Sequence, residues 1–127
     1  MKRYDASYDP PAPVVRVRVS RPLDTEDGRF VKGLIDTGAD MSVVSKRLIS
    51  ELQIVPAGEV IVLDFEGDER EKTTFFVFMS VNDFEELVEV VSLEFEEQED
   101  VIIGRDILNN LTLVLNGKNL SFEIKDP

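Results

Sequence analysis

Asp36 is the residue of this chain best placed to do chemistry. It closes the apolar pair Leu34-Ile35 and opens the turn Thr37-Gly38-Ala39-Asp40, after which apolar residues return at Met41, Val43 and Val44. An ionised carboxylate at the end of a buried strand must be paired or hydrogen-bonded, so its position needs a reason. Gly38 lets the backbone turn where a Cβ would clash, and it brings N–H groups toward the carboxylate. Thr37 adds a hydroxyl that can reach another segment, and Ala39 keeps the site narrow. The chain contains no Cys and no His. That excludes thiol nucleophiles, Ser–His and Cys–His triads, disulfides and zinc sites of the usual ligand set. Carboxylates are the leading acid–base groups that remain. A bare Asp-Thr-Gly also suits an Asx-turn with no chemistry attached, so the rest of the chain must be asked for partners.

The elements that would position Asp36 are mostly strands. Pro10, Pro11 and Pro13 make residues 1–13 an extended arm, because proline lacks the N–H of a ladder. Val15, Val17 and Val19 alternate with Arg16, Arg18 and Ser20, the pattern of a half-buried strand over 14–20. Residues 21–28 read as a turn, and Phe30 to Ile35 as the second arm of a hairpin that delivers Asp36 to its end. Ser45 is a helix N-cap before Lys46–Leu52, whose Leu48, Ile49 and Leu52 share a face. Val60–Leu63 and Thr73–Phe78 are strands flanking a charged hairpin with its tip near Gly67. Asn82-Asp83 is a turn, and Leu87–Phe95 alternates in part. The stretch Glu96-Glu97-Gln98-Glu99-Asp100 reads as a solvated charged loop. Val101-Ile102-Ile103 is an apolar strand that meets Gly104 and opens a short helix over Arg105–Asn110. Leu111–Leu115 and the alternating Leu120, Phe122 and Ile124 form the last hairpin, with Asn116-Gly117 as a two-residue turn.

With 127 residues, 43% hydrophobic and 31% charged, the chain is expected to be one folded domain with a modest core. Its 26 acidic residues against 14 basic give a net charge of −12, which disfavours nucleic acid as a partner. No apolar run approaches a membrane span, and residues 1–5 lead into no signal-peptide core, so a soluble, cytoplasmic protein is expected.

Two motifs carry a resemblance. Gly33-Leu34-Ile35-Asp36-Thr37-Gly38-Ala39-Asp40 resembles the active-site turn of retropepsin-like aspartic proteases. Ile102-Ile103-Gly104-Arg105-Asp106-Ile107-Leu108 resembles the strand–Gly–Arg–helix signature near the C-terminus of the retroviral enzymes. Their order matches that family across residues 14–124, with a hairpin between them where the family carries its flap. The resemblance implies a mostly β, closed barrel-like single lobe with short helices and a flap, occupying residues 14–127 after the arm. It implies a homodimeric aspartic endopeptidase acting on peptide or protein substrates, with no metal and no cofactor. Asp36, Thr37 and Gly38 would be the catalytic turn, one from each subunit meeting at the two-fold axis. Ala39, Asp40, Phe65, Gly67 and Ile102 would contact substrate, with Ile102 and Ile103 divided between cleft wall and core. Gly104 would let the helix pack under the turn, and Arg105 would pair with Asp40 behind the site. The terminal strands are candidates for the dimer sheet.

The flap departs from the viral pattern. A single Gly67 stands among Asp64, Glu66, Asp68 and Glu69, where viral tips are rich in Gly and apolar residues. The longer C-terminal hairpin, and a chain beginning at Met1, resemble cellular and microbial members more than viral ones. A catalytically inactive dimerisation or peptide-binding module on the same fold is the alternative, favoured by the acidic flap and disfavoured by the intact Asp-Thr-Gly-Ala turn.

Overall fold

The computed structural model describes residues 1–64, 66–94 and 98–126. The Val15/Val17/Val19 alternation forms β2 (Val14–Arg21), whose valines are buried while Arg16 is exposed. It pairs antiparallel with β3 (Asp24–Ile35), which ends at the Asp36 turn. After β3 come β4 (Val43–Ser45), α1 (Lys46–Glu51), β5 (Pro56–Leu63), β6 (Glu69–Val81), β7 (Phe84–Leu93) and β8 (Val101–Ile103). Strand order in this sheet is β2-β3-β8-β4-β7-β6-β5, and β2 also pairs with β6 from Val17↔Val81 to Ser20↔Phe78. That pairing closes the sheet on itself, as the expected barrel-like lobe requires, and leaves β5 projecting with the outer part of β6 as a hairpin.

The core fills the closed sheet. Val17, Val19, Val44, Val77, Met79, Val81, Val90 and Ile103 are fully buried within it. Burying each such side chain stabilises the fold by about 1.5–3 kcal/mol. α1 plugs one end: Ser45 Oγ accepts from Leu48 N–H at 3.1 Å, and Leu48, Ile49 and Leu52 pack inward. The Ser45 hydroxyl also donates to Asp100 at 2.7 Å, so the cap and the start of β8 are tied together.

Several expected boundaries move. The 21–28 segment is not a long turn. β3 begins at Asp24, opposite Arg21, and the pair is bridged at 2.6 Å. This part of the hairpin runs beyond the core, where a ladder needs no apolar face, so polarity concealed the strand. The strands of the charged hairpin also extend further, β5 starting at Pro56 rather than Val60 and β6 running from Glu69 to Val81. The charged 96–100 loop is corrected at its end. Glu99 is only 4% exposed and accepts from the Tyr8 hydroxyl at 2.6 Å, and Asp100 is bound by Ser45 and Arg47; Glu96 and Glu97 lie outside the described residues.

A second, three-stranded sheet joins the ends of the chain. β1 (Lys2–Arg3) pairs with β10 (Ser121–Lys125), which pairs with β9 (Thr112–Asn116). The β9–β10 connection is not the expected two-residue turn. Asn116 lies opposite Ser121, leaving a four-residue loop over 117–120. Asn116 Oδ1 accepts from Asn119 N–H at 3.1 Å, and Leu120 rather than glycine takes the positive φ, at 50°. The asparagine side chain, by capping the loop, substitutes for the backbone geometry that Asn-Gly normally supplies.

The proline-rich arm is docked along the lobe. Asp5 is bridged to Lys32 at 2.9 Å, and Ile35 N–H donates to Pro13 O at 3.1 Å. The Ser7 hydroxyl, and then Lys32, hold the Asp5 carboxyl down to about 2 from an ordinary value of 3.8. A carboxyl depressed on folding contributes stability that is present above its unfolded value and lost as pH falls through its folded value. The arm should therefore stay docked at about pH 4 and loosen toward about pH 2. Amide exchange over residues 2–12, corrected for intrinsic rates, should rise across that window in the native chain and show no such step in Asp5→Asn.

Candidate active site

The site is a crossing of two chain segments. β8 pairs parallel with β3 (Leu34↔Ile102, Ile35↔Ile103) and antiparallel with β4 (Val43↔Ile102). The 36–42 turn therefore leaves β3, passes over the end of β8, and returns as β4 on its other side. Asp36 N–H donates to Ile103 O at 3.0 Å, which fixes where the strand ends and the turn begins. Gly38 N–H donates to the Asp36 carboxylate at 2.9 Å, and Ala39 N–H to Asp36 O at 3.2 Å. The turn is thus an Asx-turn after all, and the same geometry presents a half-exposed carboxylate with one oxygen anchored.

The turn is gripped from beneath by the second motif. Arg105 opens α2 (Arg105–Leu108), and its backbone N–H donates to Ala39 O at 2.8 Å. A Cβ on Gly104 would stand 2.8 Å from Met41 C and 2.9 Å from the Ala39 and Met41 carbonyl oxygens. Those are backbone atoms and cannot swing aside, so glycine is required by close approach, as expected. Gly104→Ala should cost about 2 kcal/mol, read as a lowered melting temperature.

The expected Asp40–Arg105 ion pair is not formed. Arg105 Nη1 donates instead to Thr37 O at 2.8 Å, and the Asp40 carboxylate accepts from Met41 N–H at 2.9 Å. Each charged group is instead engaged by a backbone partner in the turn. Arg105 still supports the site, by holding the carbonyl of Thr37. Ile103 is fully buried and Ile102 half-buried, the division expected of neighbouring residues on one strand.

Sequence reasoning missed the residue that does most of the clamping. Asp106 accepts from Ser42 N–H at 2.8 Å and from the Ser42 hydroxyl at 2.6 Å, and that hydroxyl accepts from Gly104 N–H at 2.9 Å. Ser42 is completely buried. A serine in the otherwise apolar run Met41–Val44 was the signal available, but nothing in the spacing names its partner.

The flap tip is a turn built on Asp64. Its carboxylate accepts from Glu66 and Asp68 N–H groups at 2.9 Å each, and Gly67 takes a φ of 83°, which accounts for the glycine there. Phe65 lies outside the described residues. Further along the flap, the neighbouring Glu71 raises the Glu59 carboxyl by hydrogen bonding and like charge.

A closed β lobe whose Asp-Thr-Gly turn is seated on a strand–Gly–Arg–helix junction has the architecture of the retropepsin-like aspartic proteases. The comparisons with known proteins agree. Residues 25–110 match the family described as "gag-polyprotein putative aspartyl protease", and the chain belongs to that family. The EIAV protease in an inhibitor complex is similar with a TM-score of 0.55 and 22% identity, over 77% of this chain and 86% of that one. The Simian Foamy Virus (mac) protease is similar with a TM-score of 0.56 and 12% identity, over 76% and 92%. A foamy viral protease–reverse transcriptase bound to an RNA/DNA hybrid matches with a TM-score of 0.52 and 20% identity; the match covers 76% of this chain but 12% of that longer one. At these identities the structures support the fold. No curated protein sequence matches the chain.

Proposed function

We propose that the chain is an aspartic endopeptidase completed by homodimerisation, with Asp36 from each copy meeting at the two-fold axis. The carrying observation is the half-exposed Asp36 carboxylate on a turn clamped from beneath by Arg105 and the Gly104 junction. One lobe supplies one such turn, and a symmetric pair supplies two. As is general for aspartic proteases, two carboxylates about 3 Å apart share one proton and titrate as a pair.

The chemistry follows from that shared proton. The ionised Asp36 takes a proton from a bound water as the oxygen attacks the scissile carbonyl. The protonated Asp36 of the other copy hydrogen-bonds the carbonyl oxygen, and proton transfer to nitrogen releases the amine. Thr37 ties the two turns together across the axis, and Gly38 and Ala39 receive the substrate backbone. The flap carrying Gly67 covers it. The substrate is an extended peptide or an unfolded protein segment.

The test is digestion of an unfolded protein from about pH 3 to about pH 7, with and without a statine-type transition-state mimic. Cleavage blocked by the mimic supports the reading. A demonstrably dimeric sample that cleaves nothing overturns it and favours a peptide-binding or dimerisation module, for which the exposed Glu66, Asp68 and Glu69 of the flap become the feature to explain.

A further inference from the structure

The outer edge of β3 is open beside a positive patch. Asp100 N–H donates to Lys32 O at 3.2 Å, so the backbone groups of Lys32 face away from β2. Alternation along the strand turns those of Phe30 and Gly28 the same way. β8 covers this edge only from Gly33 to Ile35, and among the described residues no strand covers Gly28 or Phe30. Beyond Gly28 the ladder is interrupted, because Ser20 faces Gly28 while Arg21 faces Asp24. The open edge is bounded at both ends and spans about 13 Å from Gly28 to Lys32, room for a segment of about five residues.

The face beside that edge is cationic and aromatic. Arg16 stands opposite Lys32, and Arg18 opposite Phe30, on the solvent side of the hairpin. The Arg16 guanidinium lies 4.1 Å from the centre of the Phe30 ring, and Phe30 is 59% exposed. Asp5, Arg16, Phe30, Val31 and Lys32 line a depression of about 410 Å³ here. The chain has 26 acidic residues, yet among the described residues Arg16 and Arg18 form no ion pair with any of them. Arg18 donates instead to the carbonyls of Thr25 and Glu26. The patch already holds one carboxylate, that of Asp5 on Lys32 at 2.9 Å. Glu26 and Asp27 lie at the far end, with Asp27 bridged to Arg29 at 2.7 Å.

We infer that the open edge of β3 docks an extended acidic peptide segment of a partner protein, which adds to the sheet as a further strand. The backbone of the segment bonds to Gly28 and Phe30. Its residue beside Phe30 places a carboxylate on Arg16, which is folded over the ring, and its residue beside Lys32 adds a second. The residue between them falls on the other face, next to the half-buried Val31, where an apolar side chain fits. The pattern recognised is acidic–apolar–acidic. A short peptide suits this patch better than a nucleic acid, because a chain of net charge −12 repels a long run of phosphates beyond the few cations gathered here. The site uses no residue of the Asp36 turn, so it stands independently of the proteolytic reading.

The probe is the capped, fluorescently labelled peptide Glu-Val-Glu-Val-Glu, with Gln-Val-Gln-Val-Gln as its neutral control, titrated by anisotropy onto the native chain, Asp36→Asn and Arg16→Gln. The acidic peptide should bind the native chain and Asp36→Asn equally, and the neutral one at least about 5-fold more weakly. Arg16 is exposed, so Arg16→Gln should melt as the native chain does and still bind the acidic peptide about 5-fold more weakly. At saturation, amide exchange at Gly28 and Phe30 should slow, which adsorption through charge alone would not produce. No binding of the acidic peptide, equal binding of the neutral one, or binding that Arg16→Gln leaves unchanged would overturn the site. So would protection that falls on amides other than these, or binding lost in Asp36→Asn, which would place the peptide in the catalytic cleft. A single-stranded oligonucleotide that displaces the peptide at lower concentration would replace the peptide partner with a nucleic acid.

Discussion

Asp36→Asn should reduce peptide hydrolysis by about 10⁴-fold or more while leaving the fold and the dimer in place. Asparagine is nearly the same shape, and its side-chain oxygen can still accept the Gly38 N–H that Asp36 accepts at 2.9 Å. The turn therefore keeps its anchor. What would disappear is the proposed shared proton: two amides can neither take a proton from water nor exchange one between them. Sedimentation and thermal melting should be close to those of the native chain, and no pH between about 3 and about 7 should restore the rate. Binding of the statine-type mimic should weaken as well, because its hydroxyl addresses the ionised and protonated pair. Retained hydrolysis in this variant would remove Asp36 from the mechanism.

Asp106→Ala should give the largest loss of stability among single changes near the site. It strips the acceptor from both the N–H and the hydroxyl of a fully buried serine. Hydrogen bonds to a charged acceptor contribute about 1.5–3 kcal/mol, and a buried donor left unpaired costs more than a mean hydrogen bond. A loss of about 3 kcal/mol is expected, roughly 10 °C in melting temperature for a domain of this size. Asp106→Asn keeps one good acceptor oxygen and should lose about half as much. At temperatures where the variants remain folded, kcat should fall by up to about 100-fold with KM little changed, because the clamp sets where the turn sits rather than what it binds. A double-mutant cycle with Ser42→Ala should show strong coupling, since either change alone breaks the same connection. Independent, additive effects would mean that the two residues act separately.

Much of this architecture was legible in the chain itself. Alternating valines announced β2, the Ser45 cap announced α1, and two short motifs pointed to the Asp36 turn and the junction beneath it. These are local signals, set by period, capping and turn chemistry over a few residues. The long polar strand before Gly28 was concealed because the hairpin runs past the core, where side chains no longer report the pleat. Asn116-Gly117 misled because the asparagine side chain, not the glycine backbone, closes that loop. The partnership of Asp106 with Ser42 could not be read at all, since it depends on β8 threading between β3 and β4. The same crossing gave Arg105 the Thr37 carbonyl rather than Asp40, whose carboxylate is turned toward the N–H of the following Met41. The sequence by itself singled out Asp36 as the candidate for acid–base chemistry and, with no Cys and no His, left carboxylates as the leading groups for it. Only the tertiary structure decided what holds that residue still and which strand edge is left open, because both depend on contacts between segments far apart in the chain.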